Sequence, residues 1–112
     1  MPDRAIEEIP PAEALRRQQQ GSVLIDVRED EELAAGKPAG AIGVPLGALA
    51  ARIGAVAPDL GTEIVASCAT GRRSLDAAAL LREIGYAHVA SVAGGYLRWS
   101  AEGLPIDAGL LD

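Results

Sequence analysis

The chain has no phenylalanine and only one cysteine, one histidine, one methionine and one tryptophan among its 112 residues. A lone cysteine excludes an internal disulfide, and one Cys with one His leaves no ligand set for a Cys-bound structural zinc. Aromatics make up 3 % of the chain although 49 % of it is hydrophobic, so the core must be built from Ala, Val, Leu and Ile. Small side chains let backbones approach closely, which suits helices laid on a sheet. Positive charge is also short. Ten Lys and Arg against 16 Asp and Glu leave a net charge of −6, which argues against a nucleic-acid or anionic-membrane binder. No run approaches the roughly 18 apolar residues of a membrane span, and "MPDRAIEEIPPAEALRRQQQ" lacks the apolar segment of a secretory signal. These absences lead to the expectation of a soluble, cytoplasmic protein. The length fits one domain over residues 1–112, with no internal repeat, linker or low-complexity tract.

What is present alternates between strand and helix patterns. "RAIEEI" (4–9) reads as a short strand, and "PPAEALRRQQQG" (10–21) as a helix that tolerates proline at its start and stops at Gly21. "SVLIDV" (22–27) is a near-continuous apolar run, the mark of a strand buried on both faces and therefore parallel. "REDEELAAG" (28–36) reads as a short acidic helix with a solvated start, its negative charge well placed for the helix dipole. "KPAGAIGVP" (37–45) is loop and extended chain, too rich in Gly and Pro for a helix, and "LGALAARIGAV" (46–56) is a further helix. "EIVAS" (63–67) predicts a second buried strand, "RRSLDAAALLREIG" (72–85) a helix, and "HVASV" (88–92) a third strand. "AGGYLRWSAEGLP" (93–105) closes with a turn and a short helix. The fold class expected is α/β, a three-layer α/β/α arrangement around a mostly parallel sheet of about five strands.

Sites in open α/β sheets lie beyond the carboxyl ends of the strands, where loops lead into helix N-termini. Cys68 falls at that edge, in the loop Cys68-Ala69-Thr70-Gly71-Arg72-Arg73. A lone cysteine is most simply a small buried hydrophobe. Such a residue belongs inside a strand or on a helix stripe, whereas Cys68 lies in a turn with two arginines close behind. Gly71 supplies a permissive backbone, and loop amides followed by the first free N–H groups of a helix form a nest that favours an anion. Arg72 and Arg73 add positive charge, and Ser74 can cap the first turn or donate to the sulfur. The expectation is an ionised, reachable thiol. Leu75, Ala78, Ala79 and Leu81 are expected to form the apolar stripe of the following helix.

Four segments in order resemble the rhodanese-like sulfurtransferases in their single-domain form. "LIDVRE" (24–29) resembles the family's first signature, and "GKPAGAIGVPL" (36–46) its Gly-His-x-x-Gly-Ala-x-x-x-Pro segment. "CATGRRS" (68–74) matches the active-site pattern Cys-x-x-Gly-x-x-Ser. "VAGGYLRWSAEGLP" (92–105) resembles the closing Gly-Gly-x-x-x-Trp-x-x-x-Gly-x-Pro. The resemblance implies the fold and a catalytic Cys68 assisted by Arg73. Ala69, Thr70, Gly71, Arg72, Arg73 and Ser74 then form the substrate cradle, with Asp26 and Arg28 in support. It implies a persulfide on Cys68, loaded from thiosulfate or another persulfide and discharged to cyanide, a thiol or a partner protein, with no metal or organic cofactor. The chain holds no second cysteine, so the sulfur acceptor is expected to be external.

Two readings compete. Phosphatases and arsenate reductases related to this family carry Cys-x5-Arg loops, whereas Cys68 to Arg73 is Cys-x4-Arg, a tighter ring suited to one sulfur. A regulatory binding module or persulfide carrier with little thiosulfate turnover is the other, although such modules often lack the cysteine. The chain also departs from the family: Lys37 replaces a histidine, Ala93 replaces a glutamate, and Ala69 replaces a polar or basic residue, which implies modest thiosulfate affinity. Asp26 is either an acid–base group or a structural partner of a backbone amide or arginine. The structural role is favoured, because thiolate chemistry in a nest needs no general acid. His88 is expected at the surface, Trp99 at the core edge, and Gly94 with Gly95 in a tight turn near the active loop.

Overall fold

The structure, a computed structural model, describes residues 5–108. Arg4 of the first expected strand, and residues 1–4 and 109–112 of the single-domain reading, lie outside the described residues. Strand β1 (Glu7–Ile9) leads into helix α1 (Pro11–Gln19), which starts on proline and carries Glu13 in its first turn and Arg16 and Arg17 in its last, all matched to the helix dipole. Strand β2 (Val23–Asp26) and the short helix α2 (Asp30–Ala34) follow. Next come β3 (Lys37–Pro38), β4 (Ile42–Gly43), a 3-10 turn (Leu46–Ala48) and α3 (Leu49–Val56). Strand β5 (Ile64–Ser67), α4 (Arg73–Ile84), β6 (Val89–Val92), α5 (Gly95–Ala101) and β7 (Ile106–Asp107) complete the order.

Five strands form one sheet in the order β1-β6-β5-β2-β4, with every neighbouring pair parallel. The expected α/β class and parallel sheet are therefore present. Strands β3 and β7 form a separate antiparallel pair. The segment 37–45, read from sequence as loop and extended chain, thus supplies an edge strand of the main sheet. Strand β4 pairs only Ile42 and Gly43 with Ile25 and Asp26, too short a ladder for any periodicity to reveal. The expected helix over 46–56 is split, because Ala48 N–H bonds the Pro45 carbonyl at 2.8 Å and tightens the first turn into 3-10 geometry.

Alternation along the strands divides the core between two faces. Ile25, Ile64, Ala66 and Cys68 pack with Leu49 and Ile53 of α3 and with Ala77, Ala78 and Leu81 of α4. On the other face Leu24, Val65, Ala90 and Val92 pack with Ala14 of α1 and Trp99 of α5. Of the stripe expected on α4, Ala78 and Leu81 are buried, whereas Ala79 is exposed and Leu75 only half-buried; Ser74 and Ala77 complete the buried face. The error has a physical source. Ser74 is polar, so a hydrophobicity pattern does not count it as inward-facing, although the sulfur-bearing loop requires it there. Trp99 is buried and its indole N–H donates to the Pro105 carbonyl at 2.7 Å. No helix among the described residues is long and apolar enough to cross a membrane.

Because Leu81 is wholly buried between α4 and the sheet, Leu81→Ala is expected to destabilise the chain by about 2–5 kcal/mol. Urea unfolding with an unchanged m-value is the measurement.

Candidate active site

Strand β5 ends at Ser67, but its alternation does not. Ile64, Ala66 and Cys68 face the same side, and residues 69–72 lead from there into α4. Strand alternation thus places the sulfur on the face that α4 covers. Helix α4 has no side-chain N-cap; Arg72 occupies that position. The Cys68 sulfur takes its place, accepting from the Ser74 amide at 3.3 Å and from the Gly71 amide at 3.1 Å. Ser74 Oγ lies 3.5 Å from the sulfur, able to accept from the thiol or donate to the thiolate. Ser74 Oγ is itself hydrogen-bonded to Ser91 Oγ at 2.7 Å. Burial pushes the thiol up, but donors from Ser74, Gly71 and Thr70 outweigh it and hold Cys68 below the ordinary value.

The sequence reading of a reachable thiol needs correction. Cys68 is 1 % exposed and belongs to the apolar core of its face. Continued strand alternation buries the side chain, while the amides supply the anion site. The two sequence readings, core cysteine and nested thiolate, describe the same atom.

A second helix fixes the loop from behind. The first amides of α5 reach back, Tyr96 N–H to the Cys68 carbonyl at 2.7 Å and Leu97 N–H to the Ala69 carbonyl at 3.1 Å. Gly71 adopts φ +100°, and a Cβ there would meet the Gly94 nitrogen at 3.2 Å. Gly95 is more restricted still, since a Cβ would sit 2.6 Å from the Ala69 carbonyl. The expected tight turn at Gly94 and Gly95 is thus the surface against which the loop is pressed.

The supporting residues divide. Asp26 and Arg28 are buried and paired, Arg28 Nε to Asp26 Oδ1 at 3.0 Å and Nη2 to Oδ2 at 3.0 Å. Arg28 also donates to the Gly36 carbonyl at 2.7 Å and lies over the Tyr96 ring, 4.4 Å from its centroid. This ties β2, the turn after α2 and α5 together. His88 is exposed, as expected. Arg73 is held in a bidentate pair with Glu32, at 2.8 and 3.0 Å. That pair corrects the view of the acidic run 28–32 as simply solvated. Arg72 is exposed and, with Arg73, Leu75 and Asp76, lines a cavity of about 510 Å³.

Sequence reasoning missed Glu32, Ser91 and Tyr96. Ser91 left a signal, a hydroxyl inside the otherwise apolar strand "VASV". Glu32 and Tyr96 left none, because their partners are distant in the chain.

The described geometry agrees with what comparison with known proteins shows. Residues 10–102 match the family model of the rhodanese-like domain. A thiosulfate sulfurtransferase GlpE of Haemophilus influenzae (strain PittEE) is 34 % identical over 103 residues, covering 92 % of this chain and 96 % of that protein. One from Pseudomonas putida (strain GB-1) is 38 % identical over 94 residues, covering 83 % and 84 %. Among solved structures, a rhodanese-related protein of Thermoplasma volcanium superposes with TM-score 0.79 at 28 % identity, covering 91 % of this chain and 98 % of that one. A Rhodopseudomonas palustris protein described as a possible tyrosine phosphatase gives TM-score 0.82 at 26 % identity, covering 96 % and 99 %.

Two outcomes test the site. Ser74→Ala removes a donor that stabilises the thiolate, so the midpoint of the pH–alkylation curve is expected to move to higher pH and the rate at neutral pH to fall. Iodoacetamide labelling across pH measures this. Gly95→Ala is expected to displace the loop and slow labelling at every pH, with the melting temperature measured alongside.

Proposed function

The chain belongs to the rhodanese-like domain family, and we propose that it is a sulfurtransferase working through a persulfide on Cys68. The thiolate attacks the outer sulfur of thiosulfate or of a persulfide. A new S–S bond forms, the donor's S–S bond breaks, and the electron pair leaves with sulfite or with the donor thiolate. The terminal sulfur then passes to an external nucleophile: cyanide, a small thiol or a cysteine of a partner protein. Cyanide leaves as thiocyanate and restores the thiolate. No oxidant is consumed, and the loop holds one negative charge on sulfur before and after loading.

The observation that carries this reading is the pair of amides, Gly71 and Ser74, on the sulfur at 3.1 and 3.3 Å. Fixed donors of this kind need no reorganisation when charge moves along a persulfide. Ala69, Thr70, Gly71, Arg72, Arg73 and Ser74 form the cradle, with the Arg73 guanidinium paired to Glu32 at its edge. Asp26 and Arg28 keep the cradle's floor in place. The reading takes the chain as one such domain, active in the cytoplasm, where an unpaired thiol persists.

Phosphatase chemistry is disfavoured by the same geometry. The loop is one residue shorter than Cys-x5-Arg, and its arginine is engaged by Glu32 rather than free to grip a phosphate.

Intact mass after incubation with thiosulfate tests the proposal. A gain of one sulfur atom is expected, absent from Cys68→Ser and removed by cyanide with release of thiocyanate. An unchanged mass with either thiosulfate or a small alkyl persulfide would overturn it. So would full biological activity in Cys68→Ser, the behaviour of a binding module.

A further inference from the structure

Arg73 is the first residue of α4, five positions beyond the sulfur-bearing Cys68. Its guanidinium feels the charge of Cys68 and would be the natural counter-ion for an incoming anion. It is not available for that. Glu32 grips both Nη atoms, at 2.8 and 3.0 Å. Glu32 is itself fixed: its Oε1 accepts the Glu29 amide at 2.9 Å, closing a capping box on α2. Two helices from different parts of the chain therefore clamp one ion pair beside the loop. The Arg73 guanidinium and the Glu29 amide hold the Glu32 carboxyl at about 2, so it is ionised throughout the useful pH range.

The charges around the neighbouring cavity complete the picture. Arg72, Arg73 and Asp76 line it, and among the described residues neither Arg72 nor Asp76 enters an ion pair. With Glu32 on Arg73 and Asp76 lining the same cavity as Arg72, the two cations are matched in number by two carboxylates. An approaching anion meets dipoles and amides rather than a net positive field. A doubly charged donor forfeits about twice the attraction that a singly charged one does.

From this clamp we infer that Glu32 is a positioning residue that sets the charge of the donor. By keeping Arg73 neutralised, it makes the site favour singly charged sulfane-sulfur donors over doubly charged thiosulfate. This rests on the sulfurtransferase reading above. Loading from a singly charged thiosulfonate follows the same balance: the thiolate takes the outer sulfur and the sulfinate leaves with the electron pair.

The test compares thiosulfate with methanethiosulfonate, with cyanide as acceptor, in the wild-type chain, Glu32→Gln and Glu32→Asp. Glutamine still accepts the Glu29 amide, so α2 keeps its cap, but Arg73 is released. In Glu32→Gln the thiosulfate KM is expected to fall roughly five- to tenfold relative to the methanethiosulfonate KM, with the ratio of the two kcat values unchanged. Glu32→Asp keeps the negative charge and stays near the wild-type ratio. The wild-type chain gives an independent measurement: its thiosulfate KM is expected to respond weakly to added salt. An unchanged KM ratio in Glu32→Gln would overturn the inference, and so would a change confined to kcat. A steep rise of the wild-type thiosulfate KM with salt would do the same even where the variants fail to fold. Loading of Cys68 from neither donor would overturn the sulfurtransferase reading and this inference with it. Loading from both at an unaltered ratio overturns the inference alone.

Discussion

One interaction organises the molecule: a sulfur atom occupying the place of a helix cap. A helix leaves its first amides unsatisfied, and an oxygen-bearing side chain ordinarily accepts from them. Here Arg72 stands at the cap position without filling that role, and the sulfur of Cys68 does so from the end of the preceding strand. The arrangement is economical because each partner satisfies the other. The helix gains an acceptor, and the thiol gains donors that favour its charged form against the opposing effect of burial. A burial that would ordinarily silence a cysteine is compatible with ionisation only because these donors are built in.

The rest of the fold keeps that contact in register. Parallel pairing of β5 with β2 and β6 fixes where the strand stops and which way residue 68 faces. Helix α5 holds the loop's carbonyls from behind, and Gly95 lets the two backbones touch where any side chain would intrude. The buried Asp26–Arg28 pair secures the adjoining strand end and reaches the Gly36 turn and the Tyr96 ring. A buried ion pair of this kind is a weak source of stability; its visible effect is to fix the relative positions of three segments bordering the site. At the rim, Glu32 and Arg73 bind α2 to the start of α4, so the element that follows β2 also acts on the loop that follows β5.

How much of this was legible beforehand depended on the range of the interaction. The apolar runs of β2, β5 and β6 and the glycine stops after α1 and α4 are local signals, and they placed the main elements and the Cys68 loop correctly. The loop's Cys-x-x-Gly-x-x-Ser spacing is local too. Strand β4 was illegible because two paired residues, one of them Gly43, carry no periodicity. The buried face of α4 was legible at Ala78 and Leu81 but not at Ser74, which turns inward for the sulfur, a polar residue where a hydrophobicity pattern looks for an apolar one. The Glu32–Arg73 pair spans 41 residues, and nothing in either neighbourhood announces the other. Burial of Cys68 was readable in principle: extending the alternation of Ile64 and Ala66 by one step predicts it, but the boundary at Ser67 drew attention to the turn instead.

The central claim is that peptide and hydroxyl donors favour the ionised form of a buried thiol. Direct titration of the thiolate ultraviolet absorbance, with Cys68→Ser as the blank, measures it most plainly. A midpoint below the ordinary thiol value of about 8.5 is the expected result. A midpoint at or above that value would show that burial prevails over the donors, and would contradict the claim.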